Sequence, residues 1–110
     1  MTTILLDRPF DKEQLTKVYS LDLRNLDKKI WPQILEKCNA AKIHFYHIKL
    51  DSLDGIEKLH TTTSLVLEWA TKISGLTPVF KMNQLTHLDI IDFPKISNIA
   101  GISSLINIEQ

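Results

Sequence analysis

Short alternating triplets of apolar residues recur along the chain: Leu21-Asp22-Leu23, Ile43-His44-Phe45, Leu65-Val66-Leu67, Leu88-Asp89-Ile90 and an incomplete Ile108-Glu109-Gln110. Their first residues lie 22, 22, 23 and 20 positions apart. Apolar residues two apart share one face of a strand, so each triplet predicts a strand with one buried edge. A fixed period in the twenties predicts a solenoid, in which each repeat buries that edge against its neighbour. Extended backwards by three residues, the triplets share a frame that is clearest in Leu85-Thr86-His87-Leu88-Asp89-Ile90. Weaker copies run from Val18 to Leu23, Ala40 to Phe45, Thr62 to Leu67 and Leu105 to Gln110.

Between the strand patterns apolar residues return at threes: Leu53, Ile56 and Leu59; Ile73, Leu76 and Val79; then Ile96, Ile99, Ile102 and Leu105. Gly55, Gly75 and Gly101 fall in these stretches, and Pro78 and Pro94 break any long helix there. Short helices, 3₁₀ turns or irregular arcs are expected on the return. The region 1–40 reads differently. Ile4-Leu5-Leu6 predicts a short strand, and Asp11 with Gln14 forms a capping-box pattern for a brief helix. A second helix is expected after Asp27, with Ile30, Trp31, Ile34, Leu35 and Cys38 as its apolar stripe, Pro32 in its first turn and Asn39 at its end. These two helical segments are expected to cap the first repeat.

The period and the L-x-x-L-x-L frame resemble the leucine-rich repeat family over roughly Val18 to Gln110. Where that family's motif carries asparagine or cysteine, this chain has Leu26, Ile48, Ala70 and Phe93. The resemblance implies a parallel sheet on the concave side, short helices or turns on the other, and a concave face that takes a partner. The missing asparagine ladder implies less regular turns. The expected fold is therefore α/β: a short leucine-rich-repeat-like solenoid in one domain, 1–110, with 1–40 as cap and first atypical repeat and 41–110 as the repeating units.

Composition narrows the partners. Hydrophobic residues make up 44% and charged residues 24%, as in a folded globular domain, and thirteen basic residues balance thirteen acidic ones. No global field draws the chain to nucleic acid or an anionic membrane. A single cysteine, Cys38, excludes an internal disulfide framework. The N-terminus lacks a basic region followed by a long apolar run, and no apolar stretch reaches the roughly 18–20 residues that span a bilayer, so a cytoplasmic protein is expected.

The residues between and after the core positions form outward columns: Asp22, His44, Val66, Asp89 and Glu109; Arg24, Tyr46, Glu68 and Ile91; Asn25, His47, Trp69 and Asp92. Aromatic residues among charges are typical of interface hot spots, so His44, Tyr46, His47, Glu68, Trp69, Asp89, Ile91 and Asp92 are the expected partner-binding residues. The carboxylates of these columns outnumber their one arginine. Such a face suits a basic partner, a nuclease being one class, or else carries solvated strand residues.

Catalytic readings are weaker. His44 and His47 are three apart, which on a strand puts them on opposite faces, and with Cys38 they make a poor metal site. Cys38 on an apolar helical stripe reads as a buried structural thiol rather than a nucleophile. Glu68 and Asp89 lack any visible pocket to act as an acid–base pair. No catalytic residues, cofactor or metal are expected. The expected function is protein binding: a small inhibitor or immunity-type protein that masks a toxin or enzyme, with the general likeness to leucine-rich repeat inhibitors behind it. The alternative is the N-terminal piece of a longer leucine-rich repeat scaffold, for which the unfinished motif at Gln110 argues.

Overall fold

In the computed structural model, which describes residues 1–96, five strands form one parallel sheet: β1 (Thr2–Leu5), β2 (Ser20–Leu26), β3 (Lys42–Ile48), β4 (Ser64–Glu68) and β5 (His87–Ile91). They lie side by side in chain order. Leu21 pairs with Ile43, Ile43 with Leu65, and Leu65 with Leu88, so the register follows the sequence period. β1 pairs in the same sense, Thr2 beside Leu21 and Ile4 beside Leu23. The fifth triplet, Ile108-Glu109-Gln110, lies outside the described residues, as do Ile99, Gly101, Ile102 and Leu105.

One face of the sheet holds the core. Leu21, Leu23, Ile43, Phe45, Leu65, Leu67 and Leu88 are buried on it, joined by Leu53, Ile56, Leu59, Ile73, Leu76 and Val79 from the returning segments. Each such side chain contributes on the order of 1.5–3 kcal/mol before the cost of ordering the chain. The returns hold one α-helix, α1 (Trp31–Lys37), and 3₁₀ turns at Ile56–Lys58 and Val79–Lys81. The triplet spacing fits these 3₁₀ turns, whose side chains at i and i+3 eclipse. At Gly55, φ is +95°, a conformation that strains an L side chain, so the turn between β3 and Ile56–Lys58 favours glycine; an added Cβ would also lie 2.7 Å from Leu35 Cδ1, the end of a flexible side chain.

The N-terminal region departs from expectation in part. Capping helices are not evident: the residues before β2 supply the strand β1 and a single 3₁₀ turn, Lys12–Leu15. Asp11 does cap that turn, its carboxylate accepting from the Glu13 amide at 3.0 Å, but no side-chain bond returns from Gln14. α1 forms where predicted, with Pro32 in its first turn and Trp31 and Ile34 buried. Asp27 accepts from the Lys29 and Ile30 amides and so starts the turn that leads into it. β2 begins later and runs further than the sequence pattern from Val18 to Leu23 implied.

The turns after the strands are more regular than the absent asparagine implies. Asn25, His47, Trp69 and Asp92 all have positive φ, at 63°, 61°, 66° and 58°. This one left-handed residue per repeat reverses the strand alternation. It leaves two consecutive side chains outside and turns Leu26, Ile48, Ala70 and Phe93 into the core. Backbone bonds between neighbouring repeats satisfy the bend: the Lys49 amide donates to the Leu26 carbonyl at 2.7 Å, and Ala70 to Asp92 at 3.2 Å. No buried asparagine is required. At the other end of the strands, Thr61, Thr62 and Thr63 donate through their hydroxyls to the carbonyls of Asn39, Ala40 and Ala41, and Thr86 donates to Thr63. These threonine hydroxyls stitch successive repeats together. Among the described residues no helix is long and apolar enough to cross a membrane.

Candidate functional site

The outer face of the sheet carries the columns that the core does not use. Asp22 does not belong to the exposed set: it is only 5% exposed, and its Oδ2 accepts from Arg24 Nε at 3.0 Å and Thr3 Oγ1 at 3.2 Å. β1 lies beside it in the sheet and brings Thr3 against it, which the repeat pattern alone did not foresee, and its Oδ1 is left without a partner. His44 and Glu68 come together across β3 and β4, Nε2 to Oε1 at 2.9 Å. Asp89 is held in the same way by His87 on its own strand, at 2.8 Å.

The aromatic residues converge at the C-terminal ends of β3 and β4. The Tyr46 ring meets Trp69 edge-on, with centroids 5.7 Å apart, and Arg24 places its guanidinium 4.8 Å from the centre of Tyr46. His47 stacks on Trp69, centroids 3.9 Å apart and planes 11° from parallel. The left-handed column makes this possible, since it aims His47 and Trp69 along one row across neighbouring repeats. His47 Nδ1 lies 2.9 Å from Asn25 Oδ1, and an amide oxygen only accepts, so the neutral imidazole carries its proton on Nδ1. Asn25 in turn donates to Asp7 at 3.2 Å. Burial holds the His47 pKa below the ordinary histidine value, Lys49 adds to the effect, and Asp7 opposes it. The Asp7 carboxyl lies below its usual range, chiefly through the hydrogen bond from Arg8.

Beside the stack is an open groove of about 640 Å³ lined by Tyr46, Trp69, Thr71, Asp92, Phe93 and Pro94. Trp69 remains 40% exposed. Asp92 has no side-chain hydrogen bond or ion pair among the described residues. Of the sequence-predicted set, Tyr46, Trp69 and Asp92 line the groove, His47 backs it, and His44 and Glu68 form a half-buried pair behind Tyr46. Asp89 and Ile91 are exposed on β5 but do not line it. Thr71, Phe93 and Pro94 were missed. They follow the left-handed residues, where period-two reasoning no longer assigns a face.

Cys38 lies at the end of α1, buried, and that burial pushes its thiol pKa up, which suppresses the thiolate a nucleophile needs. His44 and His47 point to different partners, Glu68 and Asn25. Among the described residues no group of three or more histidine, cysteine or acidic side chains is placed to hold a metal ion. Among the described residues the face offers aromatic area, a shallow groove and the unpaired carboxylate of Asp92. Comparisons of the chain with protein-family models, with curated proteins and with solved structures return no match.

Proposed function

We propose that the chain is a protein-binding module, a short leucine-rich-repeat-like solenoid that docks its partner on the Tyr46–Trp69 groove. The observation that carries this reading is Trp69. Asparagine, aspartate and histidine tolerate positive φ better than other residues, and they occupy three of the four left-handed positions. Tryptophan has no such tolerance, so an exposed indole held at φ 66° costs conformational energy without filling the core. A large aromatic side chain kept under those conditions fits a binding anchor.

Within that class, the module acts as a cytoplasmic inhibitor or immunity-type protein, covering the active site of a toxin or enzyme such as a nuclease. Its outward face supports this in a narrower way than carboxylate counting did, because Asp22, Glu68 and Asp89 already have partners and, among the described residues, the Asp92 side chain does not. The test begins with capture of a partner from extracts of the source cells by the tagged chain. The purified partner is then titrated against wild type, Trp69→Ala and Tyr46→Ala. A one-to-one complex weakened about fivefold or more by either substitution is expected. Equal affinity for all three proteins rejects the face, and a bound partner whose activity is unchanged rejects the inhibitor reading.

A further inference from the structure

We propose that the groove is an arginine pocket, which receives the guanidinium of a basic residue from the partner protein. This rests on the protein-binding reading above and specifies its chemistry. The molecule already holds one guanidinium on this face. Arg24 lies over the Tyr46 ring at 4.8 Å while the Asp22 carboxylate takes its Nε at 3.0 Å. Aromatic face and carboxylate together fix a planar cation, by attraction to the ring quadrupole and by a charge-assisted hydrogen bond.

The groove offers the same pair of groups again. Trp69 supplies the aromatic surface and Asp92 the carboxylate, and the two occupy equivalent positions on adjacent repeats. Among the described residues no cation is set against either of them. His47 stacks on the indole and Tyr46 meets it edge-on, yet Trp69 stays 40% exposed and lines the groove, so part of its surface is open to a ligand. Thr71 adds a hydroxyl to the lining, and Phe93 and Pro94 add an apolar wall for the methylene stem of the incoming side chain. Arginine fits this combination better than lysine, because a flat guanidinium stacks on an indole and still directs N–H groups to a carboxylate at its edge.

The experiment follows the indole N–H resonances of the full chain by NMR during titration with two blocked tripeptides, Gly-Arg-Gly and its neutral analogue Gly-citrulline-Gly. Trp31 is the internal reference: it is buried and its Nε1 donates to the Asp54 carbonyl at 3.1 Å, away from the groove. The arginine peptide should shift the Trp69 signal saturably and leave Trp31 in place, with the citrulline peptide weaker by about fivefold or more. Asp92→Asn should weaken the arginine peptide by about threefold or more without disturbing the fold, since asparagine accepts positive φ as readily as aspartate. Three results overturn the pocket: equal shifts from both peptides, no change with Asp92→Asn, or no saturable Trp69 shift up to about 100 mM peptide. If the pocket fails while Trp69→Ala still abolishes capture of the partner, the binding face stands and only its arginine chemistry falls. If instead Trp69→Ala leaves the partner bound, the face itself is rejected whatever the peptide does.

Discussion

Replacing Trp69 by glycine and, separately, by alanine isolates the strain that the left-handed column imposes. Both substitutions remove the same contacts: the parallel stack on His47 at 3.9 Å and the edge-on contact with Tyr46 at 5.7 Å. Aromatic pairs of this kind contribute about 0.5–1.5 kcal/mol each, so both variants lose comparable packing. They differ in the backbone. At φ 66° an alanine Cβ crowds the following carbonyl, at a cost of about 1–2 kcal/mol that glycine does not incur. Glycine offsets part of this through the larger entropy of its unfolded chain, about 0.4–1 kcal/mol. The net expectation is a Trp69→Gly protein more stable than Trp69→Ala by about 1 kcal/mol, or about 4 °C in melting temperature for a domain of this size. Thermal unfolding followed by circular dichroism measures it. On an ordinary strand alanine would be the more stable of the two, so an alanine variant that melts at or above the glycine variant refutes the strain. It would also remove the reason for reading Trp69 as an anchor kept for binding.

Other consequences are open to equally direct checks. His47 has a depressed pKa when folded, so the unfolded chain binds its proton first as pH falls, and stability should decline from about pH 7 downward through the ordinary histidine value near 6.5. His47→Asn, which suits the left-handed position, should lose part of that decline in urea midpoints measured at about pH 8 and about pH 5; an identical decline in both proteins contradicts the assignment. Gly55→Ala should destabilise by about 1 kcal/mol or more, because φ of +95° strains any residue with a Cβ, and a neutral result in chemical denaturation would rule this out. Thr62→Val keeps the volume but removes the buried 2.8 Å bond to the Ala40 carbonyl, for an expected loss of about 1–3 kcal/mol by the same assay. Cys38 should react with a thiol reagent far more slowly in the native protein than in denaturant; equal rates would show that it is not buried.

The strand positions and their register were legible because burying one edge of a parallel strand needs only apolar residues two apart, repeated at a constant interval. Leu21, Ile43, Leu65 and Leu88 announce both the strand and its neighbour. α1 was legible for the same reason at helical spacing. Legibility failed where one residue changes the backbone. Asn25, His47, Trp69 and Asp92 share no side-chain type, so their common left-handed geometry was visible only indirectly, as two outward residues followed by an apolar one. The candidate site suffered accordingly. Tyr46, Trp69 and Asp92 were singled out, but Thr71, Phe93 and Pro94 lie past the point where alternation stops assigning faces. The hydrogen bonds of Asp22, Glu68 and Asp89 were not legible either, since a sequence counts carboxylates but does not show their partners.

By itself, then, the order of residues determined a set of parallel strands at a nearly constant offset, a one-sided core and a row of aromatic and charged side chains left outside. Those follow from periodicity, which is local and additive along the chain. The tertiary structure decided what that row contains. It buried Asp22 beside β1 against Arg24, engaged Glu68 and Asp89 with histidines, and laid His47 flat on Trp69. It left one carboxylate, Asp92, beside an open aromatic wall. Such pairings depend on distances across neighbouring strands and on the sign of φ at single residues, and neither is carried by the pattern of apolar and polar positions.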